Sequence, residues 1–254
     1  MHAEANSSDT RVQIHLGAAP AGGRPRRRAI GIETLKGQPI AAAIYSVSFG
    51  DMPGAARLAQ FENYLWHAGS LPPDIAQSVR AAARLGGHPS TTLQAVMPLL
   101  ALEAPEVRFD GPAEVSEGLL IAARVPATIA SIRAALEGHP EPHYPSLREY
   151  GERAFSLIAG PRFRADNAPA FARLFLQELL NDSDPGATTA RMVAAMPTAA
   201  STAIAAALST LHVAQPESQE AKAVLHSVGV PDEFVVAARA AARAFDWIAQ
   251  IGAA

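Results

Sequence analysis

The chain contains no cysteine, which excludes disulfide frameworks, thiolate metal sites and cysteine nucleophiles. Aromatic residues are scarce, at 6%, while Ala, Leu, Val and Ile dominate a composition that is 49% hydrophobic. Small side chains let helix axes approach closely, so this balance favours packed helices. An excess of charge of either sign is also lacking: a formal net charge of -3 over 254 residues makes no case for a nucleic-acid or membrane partner. No uninterrupted apolar run is long enough to suggest a membrane span. The longest, Val193 to Val213, is broken by Pro197, Ser201, Thr202, Ser209 and Thr210 and has no basic flank, which suits a buried helix better. No phosphate loop or dinucleotide fingerprint is present, so no nucleotide cofactor is expected.

Residues 1–27 show no periodic apolar pattern and mix Gly, Ala, Ser and Pro. No apolar core follows the basic run Arg24-Pro25-Arg26-Arg27-Arg28, so the segment is not a secretory signal. It reads as a disordered tail whose basic run is either a solvated arm or a nucleic-acid contact, and the mildly acidic chain favours the arm. A cytoplasmic location is the expectation.

Residues 28–251 read as a single all-α domain with one small N-terminal β-hairpin. In the hairpin Ile30 and Ile32 alternate, Lys36-Gly37-Gln38 turn, and Tyr45, Val47 and Phe49 alternate again. After Pro53-Gly54 the pattern predicts helices over 55–68, 72–85, 89–103, 114–136, 146–159, 168–181, 187–212, 218–228 and 232–251. Pro72 and Pro73 suit a helix start, Gly86-Gly87 and Gly229 suit helix ends, and Pro126 and Pro197 are expected to kink their helices. On the last helix Phe234, Ala238, Ala241, Phe245 and Ile248 form an apolar stripe. Arg239, Arg243, Asp246 and Gln250 oppose it and read as a solvated face with an Arg243–Asp246 pair.

Other constellations point to chemistry only weakly. His139-Pro140-Glu141-Pro142-His143 offers metal-ligand types, but the prolines favour an extended path, so no metal is expected. Asp182-Ser183-Asp184 is either a polar pocket lining or a turn in which Asp184 caps the next helix. Ser183 lacks a nucleophile elbow, which argues against hydrolysis. His88 reads as an interhelix hydrogen-bonding residue.

Several stretches, in order, resemble the citrate synthase family. Leu71-Pro72-Pro73-Asp74 through Gly87-His88-Pro89 to Leu102 is similar to its short helix, His-Pro step and long helix. Gly118 through Pro126 resembles its Leu-Ile-Ala-x-x-Pro helix, and a Ser-x-x-x-Tyr signal follows at Ser146 and Tyr150. Leu180 through Arg191 is similar to the Asp-His-Glu…Ala-Ser-Thr-x-x-Ala-Arg segment. Arg243-Ala244-Phe245-Asp246-Trp247-Ile248-Ala249-Gln250 resembles the Arg-x-x-Gly-Trp-x-Ala-His ending.

The resemblance implies the large helical domain of an acyl-CoA condensing transferase, and a homodimer whose active sites are completed across the interface. That chemistry needs a carboxylate base, a donor to the forming enol oxygen and cations around a 2-oxo acid. The family's Asp-His-Glu histidine falls on Ser183, the His-Gly-Gly segment has no counterpart, and His212 lies a few residues out of register. Between His212 and Glu217 the chain passes directly to the final helices, where the family has its small CoA-binding domain. Arg243 matches the arginine that reaches a substrate carboxylate across the dimer, although the neighbouring glycine and histidine have become Asp246 and Gln250. The candidate substrate-binding residues are thus Arg243, Asp182, Ser183, Asp184 and His88. The expectation is a dimer without CoA-dependent condensation, acting as a scaffold, as a small-carboxylate-binding protein or as the partner of an active paralogue. The alternative is a repurposed lyase, cyclase or isomerase working on a polycarboxylate in the old oxo-acid cleft.

Overall fold

A computed structural model describes Leu35, residues 37–109, 113–140, 142, 149–180, 185–196, 198–211 and 217–251. Among the described residues there are eleven α-helices and no strand. They are α1 (Ile40–Phe49), α2 (Ala55–Ala68), α3 (Pro73–Ala83), α4 (Pro89–Val96), α5 (Ala113–Leu136), α6 (Tyr150–Ala159), α7 (Ala168–Leu179), α8 (Pro185–Ala194), α9 (Ala200–Thr210), α10 (Glu217–Ser227) and α11 (Val235–Ile251). Short 3-10 turns follow α4 (Met97–Ala101) and α6 (Gly160–Arg162) and precede α7 (Ala165–Asn167) and α11 (Asp232–Phe234).

The helical class holds, with three local corrections. The expected second hairpin strand is helix α1, and the first arm around Ile30 and Ile32 lies outside the described residues, as does the 1–27 tail. Tyr45, Val47 and Phe49 do alternate, but the Ala41-Ala42-Ala43 run favours helix, and every residue from Ile40 to Ser46 is buried. Helix burial on most faces removes the need for a period-two pattern. The helix expected over 187–212 is two helices, α8 and α9, with Pro197 between them in sequence. A proline there deletes an amide donor and clashes with the preceding turn, enough to separate two helices. Pro126, by contrast, lies within the continuous α5. Helix 146–159 is shorter at its start, beginning at Tyr150.

Two helices form the centre. α5 is 24 residues long, about 36 Å, and packs on α3, α4, α6 and α11. Its span Val115–Leu136 has the length and composition to cross a membrane, yet 94% of its most apolar window is buried in the protein, as befits a core helix. α11 packs on α1, α5, α7, α8 and α9, so both its faces are covered. The α5–α11 contact is close because Gly118 admits Ile248: a Cβ there would lie 2.6 Å from Ile248 Cγ1. Glycine ends α3 and α10 as expected, with φ of +84° at Gly86 and +93° at Gly229, the left-handed conformation preferred beyond a helix C-terminus.

Buried arginines join the helices at their ends. Arg124 on α5 donates to the carbonyls of Leu100 (2.9 Å), Leu102 (2.5 Å) and Glu103 (2.6 Å). Arg153 on α6 donates to Trp66 O (2.5 Å) and Ser70 Oγ (2.9 Å) at the end of α2, with its guanidinium carbon 3.9 Å from the Trp66 ring centroid. Arg133 donates to Ile158 O in the last turn of α6. The last carbonyls of a helix have no partner within it and carry its negative dipole end, so a guanidinium there satisfies both hydrogen bonding and charge.

Candidate functional site

The site begins from the polar face of α11. Arg239, Arg243 and Asp246 were expected in solvent, but their exposures are 3%, 0% and 2%. That face is buried because α7 lies against it and presents a carboxylate. Glu178, itself 5% exposed, accepts from Arg239 Nε at Oε1 (2.8 Å) and from Arg243 Nε at Oε2 (2.5 Å). One carboxylate thus bridges two guanidinium groups four residues apart on one helix face, each oxygen serving one arginine. Charge-assisted hydrogen bonds of this kind are short and strong, and burial weakens their screening. With Asp246 on the same face, the two arginines and two carboxylates sum to zero formal charge, the condition under which ionised groups persist in a core.

The expected Arg243–Asp246 pair is therefore not the main feature; the partner supplied by the fold is Glu178. Sequence reasoning passed over Glu178, although a signal was present. Phe171, Leu174, Phe175 and Leu179 are the buried stripe of α7, and Glu178 falls at seven residues from Phe171 and four from Leu174. A carboxylate at a core position of a periodic helix needs a buried cation.

The remaining candidates are distributed differently. Asp182, Ser183 and Asp184 lie outside the described residues. The chain leaves α7 at Leu180 and resumes with α8 at Pro185, and both helices pack on α11. The start of α8 is held tightly there: a Cβ on Gly186 would lie 2.8 Å from Trp247 Nε1. His88 is the exposed N-cap of α4, with Nδ1 2.8 Å from Ser90 Oγ and accepting from Ser90 N at 3.4 Å. A histidine imidazole here fills the role an Asp or Ser side chain usually plays at a helix start. His88 meets solvent, whereas Arg243 is wholly enclosed.

His139 is exposed and pairs with Glu137 at 3.2 Å, while Glu141 and His143 lie outside the described residues. Among the described residues no group of three metal-ligating side chains occurs. Further ionic contacts join α10 to the turn before α11. Asp232 pairs with Lys222 at 3.1 Å and with His226, and the hydrogen bond from Lys222 holds the Asp232 carboxyl below the usual range, with His226 adding to the effect.

The fold is shared with solved citrate synthases. The enzyme of Pyrobaculum aerophilum superimposes with a TM-score of 0.72 at 13% identity, over 87% of this chain and 80% of that one. Citrate synthase of Thermoplasma acidophilum, in a ternary complex with carboxymethyl coenzyme A and oxaloacetate, gives 0.70 at 11% identity, over 87% and 83%. That of Thermotoga maritima MSB8 gives 0.68 at 12% identity, over 87% and 82%. Among curated proteins no sequence relative matches. The family model for the citrate synthase C-terminal domain matches residues 14–215, most of the chain, and on that match the protein belongs to the citrate synthase family.

Proposed function

We propose that this chain is the subunit of a citrate-synthase-like homodimer that has given up CoA-dependent condensation and serves as a scaffold or as the partner of an active paralogue. The observation that carries the reading is the Glu178 bridge. Arg243, the residue whose family counterpart holds a substrate carboxylate, already holds a carboxylate of its own chain and has no exposed surface. A substrate acid would have to displace Glu178 and leave that charge buried without its arginine, a cost of several kcal/mol. Ser183 in place of the family histidine adds to this, since a hydroxyl cannot act as an imidazole across the same gap. Dimerisation is supported by Met192 and Met196, 51% and 57% exposed on and just beyond α8, apolar surface that a second copy would cover.

Three measurements test the reading. Thiol release from acetyl-CoA with oxaloacetate should stay at the uncatalysed background, and calorimetry should show no CoA binding; turnover well above background overturns the loss of condensation. Light scattering at micromolar concentration should give a dimer, and a monomer would remove the assembly half of the proposal.

A further inference from the structure

Arg133 lies on the last turn of α5 and takes no part in the Glu178 bridge. Its guanidinium carbon is 4.6 Å from the Phe234 ring centroid, and Phe234 precedes Arg243 by nine residues, roughly 13 Å of helical rise. Arg133 is 4% exposed. It donates to Ile158 O, and its Nε has no hydrogen-bond partner. Unlike Arg239 and Arg243, it has no carboxylate within ion-pairing distance among the described residues. Burial pushes its pKa down, Glu137 and Glu233 act in the opposite sense and Arg162 adds to the depression. A guanidinium remains charged even so, so the protein maintains a buried cation whose nearby carboxylates, Glu137 and Glu233, act on it only from beyond ion-pairing distance.

That cation lines a cavity of about 560 Å³, within the range of small-molecule sites. The remaining wall is mostly apolar, formed by Ala130, Ala134, Leu157 and Phe163, with Ser156 among them. The exposed Glu137 and His139, 3.2 Å apart, stand at the edge. Gly160 lets the backbone come against the guanidinium: a Cβ there would overlap Arg133 Nη1. A partly open, mostly apolar space with a buried guanidinium in its wall and no described carboxylate in contact with that group is complementary to an anionic head on an apolar body. Neither half of such a ligand suffices, because the head supplies a carboxylate in direct contact with the guanidinium and the body displaces water from the wall.

We propose that this cavity, at the junction of α5, α6 and the 3-10 turn after α6, binds a medium-chain organic acid, its carboxylate on Arg133 and its alkyl body against Ala130, Ala134, Leu157 and Phe163. The site is independent of the scaffold reading above, since it shares no residue with the Glu178 bridge.

Titration calorimetry of the full chain with octanoate, octanol and acetate tests it. Octanoate should bind saturably at one site per chain, with octanol and acetate at least about tenfold weaker, since each lacks one of the two complementary parts. Arg133→Met keeps the apolar stem and removes the charge, and should abolish octanoate binding. Ser156→Phe fills the cavity without touching the arginine and should do the same, so it carries the test if the Arg133 variant fails to fold. Absence of octanoate binding to the wild type overturns the proposal. Equal affinity for octanol or for acetate, or octanoate binding unchanged by Ser156→Phe, overturns it as well.

Discussion

Replacing Glu178 by Gln isolates the consequence of the buried bridge. The side chain keeps its shape, but its charge is lost and one oxygen acceptor becomes an amide donor. One of the two bonds, 2.8 Å from Arg239 and 2.5 Å from Arg243, is then replaced by donors facing each other. Breaking a buried pair in this way costs about 3–5 kcal/mol, because an uncompensated charge remains in the core. For a chain of this size that corresponds to a fall in Tm of roughly 6–20 °C. Thermal and urea unfolding followed by circular dichroism would measure it. Because the groups are enclosed, the loss should persist in 1 M salt, where exposed pairs fade. Adding Arg239→Met removes the cation with no acceptor and lets the remaining amide oxygen serve Arg243, so the double variant should regain more than about 1 kcal/mol. A Glu178→Gln protein within about 0.5 kcal/mol of the wild type would show that the bridge behaves like a surface pair and refute the reasoning.

Further outcomes follow from other contacts. Gly118→Ala should lose about 1–3 kcal/mol in urea unfolding, because the new methyl meets Ile248 at 2.6 Å between two central helices; unchanged stability would mean that α5 and α11 can part without penalty. Asp232→Asn should lower Tm slightly near neutral pH and in low salt. The Asp232 carboxyl is held below 3.8 when folded, so its contribution is present above that value and lost as pH falls through the folded one; a difference that grows on acidification would contradict this. Citrate and other di- and tricarboxylates should leave the Tm of the wild type and of Asp246→Gly unchanged, since Glu178 holds Arg243 in both. A rise with any of these acids that Arg243→Ala abolishes would restore a carboxylate-binding role to Arg243.

The helical class and most helix boundaries were legible because they depend on local chemistry. Alanine-rich stretches favour helix, and Gly86 and Gly229 end helices in the conformation only glycine adopts easily. The ordered stretches from Leu71 to Gln250 also led to the citrate synthase family, which the family match supports. Local patterns failed where burial is complete. The alternation at Tyr45, Val47 and Phe49 suggested a strand, but a helix enclosed on nearly all sides carries no informative period.

The sequence by itself determined that Arg239, Arg243 and Asp246 share one face of the last helix, since that follows from 3.6 residues per turn. It could not determine what faces them. Sixty-one and sixty-five residues separate Glu178 from its two arginines, and only the packing of α7 on α11 turns a polar stripe that suits solvent into the charged centre of the core. The same holds for Arg133, whose place in an apolar helix is visible in the sequence, while the absence of a described carboxylate in contact with it and the cavity beside it arise only when α5, α6 and the turn after α6 come together. Helical periodicity is a property of neighbouring residues; which charges meet, and which are left unpaired, is decided by segments distant in the chain and adjacent in space.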